Sequence, residues 1–203
     1  MEILNCYAGI GGNRKLWPDE HEITAIELNP DIAKIYQDFF PKDKVIITDA
    51  HQYLLEHFQE FDFIWASPPC PTHSRFNNIN VCQGMPPKYP DMTLWQEIIF
   101  LRQWFKGKFC VENVITYYKP LIQCIKSNNH YFWTNFYFTS FPDTKRGIRR
   151  QEHDFRMERT GFDLSELKLD KIFEKQIINN CVEPELGLHI LEALFKNEQF
   201  NLF

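Results

Sequence analysis

The sequence predicts an α/β fold: a doubly wound, Rossmann-like parallel sheet carrying a small irregular insertion. Three observations predict it. Short apolar runs alternate with segments of helical periodicity through residues 1–138, the rhythm of strand–helix–strand crossovers. Glycines, acids and a thiol stand at or just past the ends of such runs, at Gly9 to Gly12, Glu27, Asp49, Cys70 and Glu112. Open α/β sheets bind ligands at that edge, beyond the carboxyl ends of their strands. The alternation lapses over residues 139–176, which are polar and basic, and resumes over 177–195. The expected division is therefore a main domain of residues 1–138 and 177–203 around an insertion of 139–176.

Ile3 to Tyr7 reads as the first strand, and Ala8-Gly9-Ile10-Gly11-Gly12 as the turn leaving it. Glu22 to Leu28 is the second strand. Asn29 can cap the helix that follows through Phe40, and Pro30 sits where a missing N–H costs nothing. Val45 to Ile47 reads as a strand, His51 to Phe58 as a helix and Phe61 to Ala66 as a buried strand. Residues 71–92, rich in proline and asparagine, read as a long loop of the kind that is either a functional lid or disordered. Thr93 and Gln96 match a capping box at the start of a helix to Lys106, and Leu94, Ile98, Leu101 and Phe105 share one face of it. Phe109 to Val111 is a strand, Leu121 to Ile125 a helix, and Tyr131 to Phe138 a long aromatic strand. Pro184 opens a last helix in which Leu186, Ile190 and Leu194 share a face.

With 203 residues, 44% of them hydrophobic and 16% aromatic, the chain can bury a full core. No apolar run is long enough to span a bilayer. Met1-Glu2-Ile3-Leu4 has no basic stretch or signal-type cleavage site, so a cytoplasmic protein with no membrane partner is expected. The cysteines follow no disulfide-scaffold spacing, and Cys6, Cys110 and Cys124 read as buried thiols. Cys70, His73 and Cys82 lack the fourth ligand of a zinc site, so no metal is expected. The net charge of −5 argues against a general polyanion binder. Yet Lys145, Arg146, Arg149, Arg150, Arg156 and Arg159 crowd together against Glu152, Asp154 and Glu158, so a phosphate backbone could be met at one edge. A solvated loop would look the same.

The glycine loop allows close approach of a ligand, although an ordinary tight turn also uses such glycines. It lacks the Lys-Ser/Thr pair of a triphosphate loop. Glu27 stands where nucleoside-binding α/β proteins set an acid on ribose hydroxyls, and Asp49 could accept from an adenine amino group. Each alone is also an ordinary strand-end or capping acid. Together they describe a nucleoside pocket without a phosphate clamp, which suits S-adenosylmethionine better than NAD. In Ser67-Pro68-Pro69-Cys70-Pro71-Thr72 a cysteine is held between prolines at a strand mouth, poorly placed for packing and well placed as a nucleophile. As thiolate it can add to C6 of a pyrimidine and make C5 nucleophilic. A buried carboxyl such as Glu112, its pKa raised, could serve as general acid at N3. A core ion pair is the other use for Glu112.

Tyr7-Ala8-Gly9-Ile10-Gly11-Gly12, Glu27-Leu28-Asn29, Thr48-Asp49, Pro68-Pro69-Cys70 and Glu112-Asn113-Val114 resemble, in order, the successive motifs of the cytosine-5 DNA methyltransferases. Asn179-Asn180-Cys181-Val182, followed by Pro184, resembles that family's C-terminal motif. The resemblance covers about 1–138 and 177–195. It implies that Tyr7, Gly9, Gly11, Glu27, Asp49, Leu94, Asn180 and Val182 contact S-adenosylmethionine. Cys70 would be the nucleophile, Glu112 its N3 partner, and Asn113 and Pro69 would shape the pocket. The partner implied is duplex DNA with a cytosine swung out of the stack.

The chain departs from the family pattern at Asn5, where aspartate is usual, and at Pro71, where glutamine is usual. No Gln-x-Arg-x-Arg motif follows Glu112, so Arg146, Arg149 or Arg150 would have to supply its arginine, and Arg75 is a further candidate for phosphate contact. Residues 139–176 leave little surface for reading bases. An active minimal DNA methyltransferase is the first expectation. Methylation of cytosine in tRNA and a subunit needing a partner chain for target recognition are the others. Restriction-modification, epigenetic marking and phage self-protection share this pattern.

Overall fold

The computed structural model describes residues 1–141 and 160–198. Its strands are β1 (Glu2–Cys6), β2 (Glu22–Glu27), β3 (Lys44–Ile47), β4 (Phe63–Ala66), β5 (Lys108–Val114), β6 (Ile125–Ser127) and β7 (His130–Thr134). They form one seven-stranded sheet in the order β3-β2-β1-β4-β5-β7-β6. The first five run parallel. β7 runs antiparallel to β5, and β6 antiparallel to β7. The sheet is thus mixed, not wholly parallel. Its strand order reverses at β1/β4, where the carboxyl ends of β1 and β4 leave room for a ligand.

The helices are α1 (Pro30–Phe39), α2 (Ala50–His57), α3 (Phe76–Cys82), α4 (Thr93–Trp104), α5 (Lys171–Asn179) and α6 (Pro184–Glu198). Successive strand residues divide between the two faces, as the period of two requires. Ile3, Phe63, Trp65, Cys110 and Phe132 face Leu186, Ile190, Leu191 and Leu194 of α6. Leu4, Ile64, Ala66, Phe109, Val111 and Trp133 face Leu54 of α2 and Leu94, Ile98 and Leu101 of α4. A third cluster joins Ile10 and Ile35 to Phe162, Leu164, Ile177 and Ile178. Phe162 and Leu164, inside the stretch assigned to the insertion, are therefore part of the packed body.

Local signals set several helix starts. Asn29 Oδ1 accepts from the amides of Asp31 and Ile32, with Pro30 in the first turn. Asp49 accepts from the amide of Gln52 at 2.8 Å and caps α2. At α4 the capping box does not form. Met92 is the cap residue and Thr93 is already helical; its amide is taken by Asp91 Oδ1 at 2.9 Å.

Other expectations are corrected. Leu121 to Ile125 is not helical. Ile125 starts β6, because residue Asn128, at φ 51°, turns the chain into a hairpin with β7. Cys124 is half-buried beside that strand and is not in a helix. The aromatic strand ends at Thr134, because Asn135 takes over the edge: its Oδ1 accepts from Phe109 N at 3.1 Å and its Nδ2 donates to Gly107 O at 2.8 Å. The 71–92 loop contains α3. Among the described residues no helix is long and apolar enough to cross a membrane.

Candidate active site

Two half-sites lie along the carboxyl edge of the sheet. The first is built on the glycine loop. Tyr7, Gly9 and Gly11 all take positive φ, at 57°, 55° and 85°. A side chain on Gly11 would collide with the Phe40 and Tyr36 rings, while a Cβ at Gly9 would meet nothing within 4 Å. Gly9 thus faces open space in a conformation that disfavours any other residue. Its amide donates to Glu27 Oε2 at 3.0 Å, and Asn29 N donates to Glu27 Oε1 at 2.9 Å. Loop and acid are therefore fixed to each other by the backbone. Asn5 is buried and exchanges amide hydrogen bonds with Asn13, with Nδ2 of Asn13 donating at 2.9 Å.

The end of the chain closes on the same loop. A Cβ on Gly12 would strike the backbone of Val182. Val182 is buried, and Asn180 is exposed at the end of α5. Asp49 is exposed beside α2. Leu94 is buried in the α4 layer at 1% exposure, enclosed by protein.

The second half-site joins the Pro-Pro-Cys turn to β5. Asn113 Nδ2, fully buried, donates to the carbonyl of Pro68 at 2.9 Å. This single bond ties the cysteine turn to the Glu-Asn-Val strand. The carbonyl of Cys70 accepts from the amides of His73 and Ser74, each at 3.0 Å, which holds the turn closed behind the thiol. Cys70 is half-buried. Burial, and then the Glu112 carboxylate, push its thiol above the ordinary range. Glu112 is 7% exposed on β5. His130 Nε2 of β7 stands 3.5 Å from its Oε1.

The loop beyond Cys70 is pinned at several points. His73 is buried, with Nδ1 2.5 Å from the Tyr118 hydroxyl, and its carbonyl accepts from Tyr117 N at 3.1 Å. Asn77 bridges to Lys88 with both ends of its amide, and Thr72 accepts from Asp91 N at 3.1 Å. Pro69 and Arg75 are exposed, and α3 shows Phe76 at 71% exposure. Arg146, Arg149 and Arg150, with the rest of the basic cluster, lie outside the described residues.

The family described as C-5 cytosine-specific DNA methylase matches residues 1–118. The chain belongs to that family. No curated protein matches it. Among solved structures it is similar to a mutant of DNMT2 from Spodoptera frugiperda, with 25% identity, 56% of this chain and 35% of that one covered, and a TM-score of 0.39. The chain thus spans little more than a third of that protein's length. It is also similar to a hypothetical protein of Thermus thermophilus, at 13% identity, 66% and 73% coverage and a TM-score of 0.41. A TehB-like SAM-dependent methyltransferase of Corynebacterium glutamicum follows at 14% identity, 56% and 54% coverage and a TM-score of 0.36. At these scores the family rests on the sequence match.

S-adenosylmethionine is the methyl donor that goes with this family. The first half-site fits it: Gly9 leaves a cradle that a side chain would fill, Glu27 ends β2 and Asp49 follows β3. Sequence reasoning assigns no role here to His51, His130 or Glu97, and weighs His73 only as a zinc ligand. Glu97, in α4, is fully buried and takes Tyr7 OH at 2.5 Å and His51 Nδ1 at 2.9 Å on the same oxygen. A carboxylate beside Leu94 and Ile98 on an apolar face was the available signal. His73 and His130 carried none, since only the folded loop and the β5–β7 register bring them to the site. Among the described residues no group of His, Cys, Asp and Glu could hold a metal ion.

Proposed function

We propose that this chain transfers a methyl group from S-adenosylmethionine to C5 of cytosine in DNA. Cys70 bonds covalently to C6 of a base turned out of the duplex, since neither carbon can be reached in the stack. The observation that carries the reading is the buried Asn113–Pro68 hydrogen bond. It brings the thiol turn and the Glu112 strand to one edge of the sheet, and Glu112 is near enough to oppose ionisation of Cys70.

S-adenosylmethionine supplies an electrophilic methyl group when bound. Tyr7, Gly9, Gly11, Leu94, Asn180 and Val182 would hold it, with Glu27 toward the ribose and Asp49 toward the adenine. Glu27 spends one lone pair of each oxygen on a backbone amide, which leaves acceptors for hydroxyls. Asp49 spends one oxygen as a helix cap.

Cys70 must first lose its proton, which burial and Glu112 both resist in the free protein. Deprotonation therefore belongs to the nucleic-acid complex, where Glu112 would take up a proton as Cys70 loses one. Sγ then bonds to C6, the C5–C6 electrons move toward N3, and N3 takes the proton held on the Glu112 carboxyl. C5 gains the methyl group as the methyl–sulfur bond of the donor breaks, its electron pair staying on the sulfur. Loss of the C5 proton to a solvent base restores the double bond and expels the Cys70 thiolate, and N3 returns its proton to Glu112. Asn113 and Pro69 keep the turn in place. Arg75, and Arg146, Arg149 and Arg150 of the basic cluster, would meet phosphates without reading sequence.

The test is methyl transfer from labelled S-adenosylmethionine to duplex DNA and to total tRNA in parallel, with Cys70→Ala and Cys70→Ser. Transfer to DNA, lost in both variants, is expected. Bisulfite sequencing of DNA from expressing cells should show the modified cytosines. Persistent transfer by both variants would rule out the thiolate mechanism, and transfer to tRNA alone would reassign the substrate. Activity that appears only after a second chain is added would assign target recognition to a partner.

A further inference from the structure

We infer that His130 is a positioning residue for the pyrimidine site: its imidazole Nε2 anchors one oxygen of Glu112, so that the other is aimed at the base. The inference rests on the methyltransferase reading given above and concerns the same site.

The sheet register makes the contact. β7 pairs antiparallel with β5, with Glu112 opposite Phe132 and Val114 opposite His130. Directly paired residues point to the same face, so His130 and Glu112 are same-face diagonal neighbours, within reach of long side chains. The Nε2–Oε1 separation is 3.5 Å. Among the described residues, His130 is the cation-forming side chain that comes within 4.0 Å of the Glu112 carboxyl. The hairpin that presents it is fixed at its turn. Asn128 has φ 51°, Ile115 N donates to the carbonyl of Asn129 at 3.3 Å, and Asn128 Nδ2 donates to Glu183 Oε2 at 3.4 Å.

The chemistry needs such an anchor. A carboxyl that holds a proton against N3 must be aimed within about 10–20° to be productive. Glu112 is on a strand and 7% exposed, but its carboxyl can still turn about its last torsion, which is broad and nearly two-fold. A donor on Oε1 removes that freedom and leaves Oε2 for the base. The distance is long for a hydrogen bond in the free protein. Such contacts commonly tighten only when the substrate is bound. The imidazole is also suited to the place: its side chain is 27% exposed, and its ring meets Phe132 edge-on at 6.3 Å without enclosure on every side.

The test compares wild type with His130→Phe, His130→Gln and Cys70→Ser, measuring kcat and KM for methyl transfer to duplex DNA and to total tRNA. Phe keeps an aromatic ring beside Phe132 and lacks the donor, whereas Gln retains an N–H of similar reach. His130→Phe should lower kcat roughly 10- to 100-fold with KM little changed, and His130→Gln should recover most of the loss. A Phe variant at the wild-type rate overturns the inference and leaves the methyltransferase reading standing. A Gln variant as poor as Phe also overturns it, since packing alone then accounts for the loss. If wild type transfers methyl to neither nucleic acid, or Cys70→Ser retains transfer, the underlying reading fails and the inference falls with it.

Discussion

Two buried glutamates, each beside a histidine, stand in this fold, and they are built differently. Glu97 is fully enclosed in α4, and its Oε1 takes both the Tyr7 hydroxyl at 2.5 Å and His51 Nδ1 at 2.9 Å. Glu112 is 7% exposed on β5, with His130 at 3.5 Å and the Cys70 thiol close enough to feel its charge. The first acid is tightly bonded, between the glycine loop, α2 and α4. The second is loosely held at an open edge. Glu97 is held on one oxygen by two partners of its own protein, which can lock a scaffold, although its buried Oε2 has no hydrogen-bond partner among the described residues. A group held loosely beside a thiol can exchange a proton. Under the proposed function, Glu97 belongs to architecture and Glu112 to chemistry.

The largest effects should separate the two. Glu112→Gln should lower methyl transfer roughly 10²- to 10⁴-fold, the usual contribution of a positioned general acid, with the urea unfolding midpoint nearly unchanged. Glu97→Ala should do the reverse in kind. It leaves the half-buried Tyr7 hydroxyl and His51 without their acceptor, and losing such a partner costs about 1–3 kcal/mol of stability. Urea titration checks this. If Glu97→Ala unfolds at the wild-type midpoint, the assignment of Glu97 to architecture is broken.

A smaller effect sharpens the same contrast through pH. The hydrogen bond to Glu97 raises the pKa of His51, against an opposing effect of burial. A raised imidazole pKa means that the folded state holds the proton more tightly than the unfolded state. The stabilisation is then fully present below the unfolded value of about 6.5 and is lost as pH rises through the folded value. The melting-temperature gap between wild type and His51→Gln should therefore be widest in mild acid and close in alkali. A gap that widens with pH would mean the pair is not an ion pair.

The scaffold half of this comparison was legible in the sequence, and the reactive half only in part. Asn29, Pro30 and Asp49 announce helix starts because a cap is a local event. Gly9, Gly11 and Glu27 are readable because a turn and the strand ends beside it are short-range features. The Pro-Pro-Cys turn and the Glu-Asn-Val strand could be named separately, but the bond that joins them spans the sheet. α3 was hidden because the segment's proline and asparagine content signals a loop, while Asn77 and Lys88 tie it back on itself. β6 was hidden because Leu121, Ile122, Cys124 and Ile125 suit a helical face as well as a strand. Its hairpin partner decides the outcome. His130 was hidden for the same reason, since only the β5–β7 register gives it a neighbour.

The smallest effect is chemical and turns on a single substitution acting in two directions. Burial and the Glu112 charge both hold Cys70 as the neutral thiol, and only the thiolate is alkylated. Cys70 should therefore react slowly with iodoacetamide, measured against Cys82, which is exposed on the same loop and serves as an internal standard. Glu112→Gln removes a nearby negative charge, which makes ionisation easier, so alkylation of Cys70 should become faster by a modest factor. The same change should abolish most methyl transfer, because the proposed N3 partner is lost. Peptide mass spectrometry reads the first quantity and labelled methyl incorporation the second. Equal alkylation rates in the two proteins would mean that Glu112 does not act on Cys70 across the site, and the contrast with Glu97 would lose its basis. Faster alkylation with slower transfer would mean that one carboxyl restrains the nucleophile at rest and serves it during the reaction.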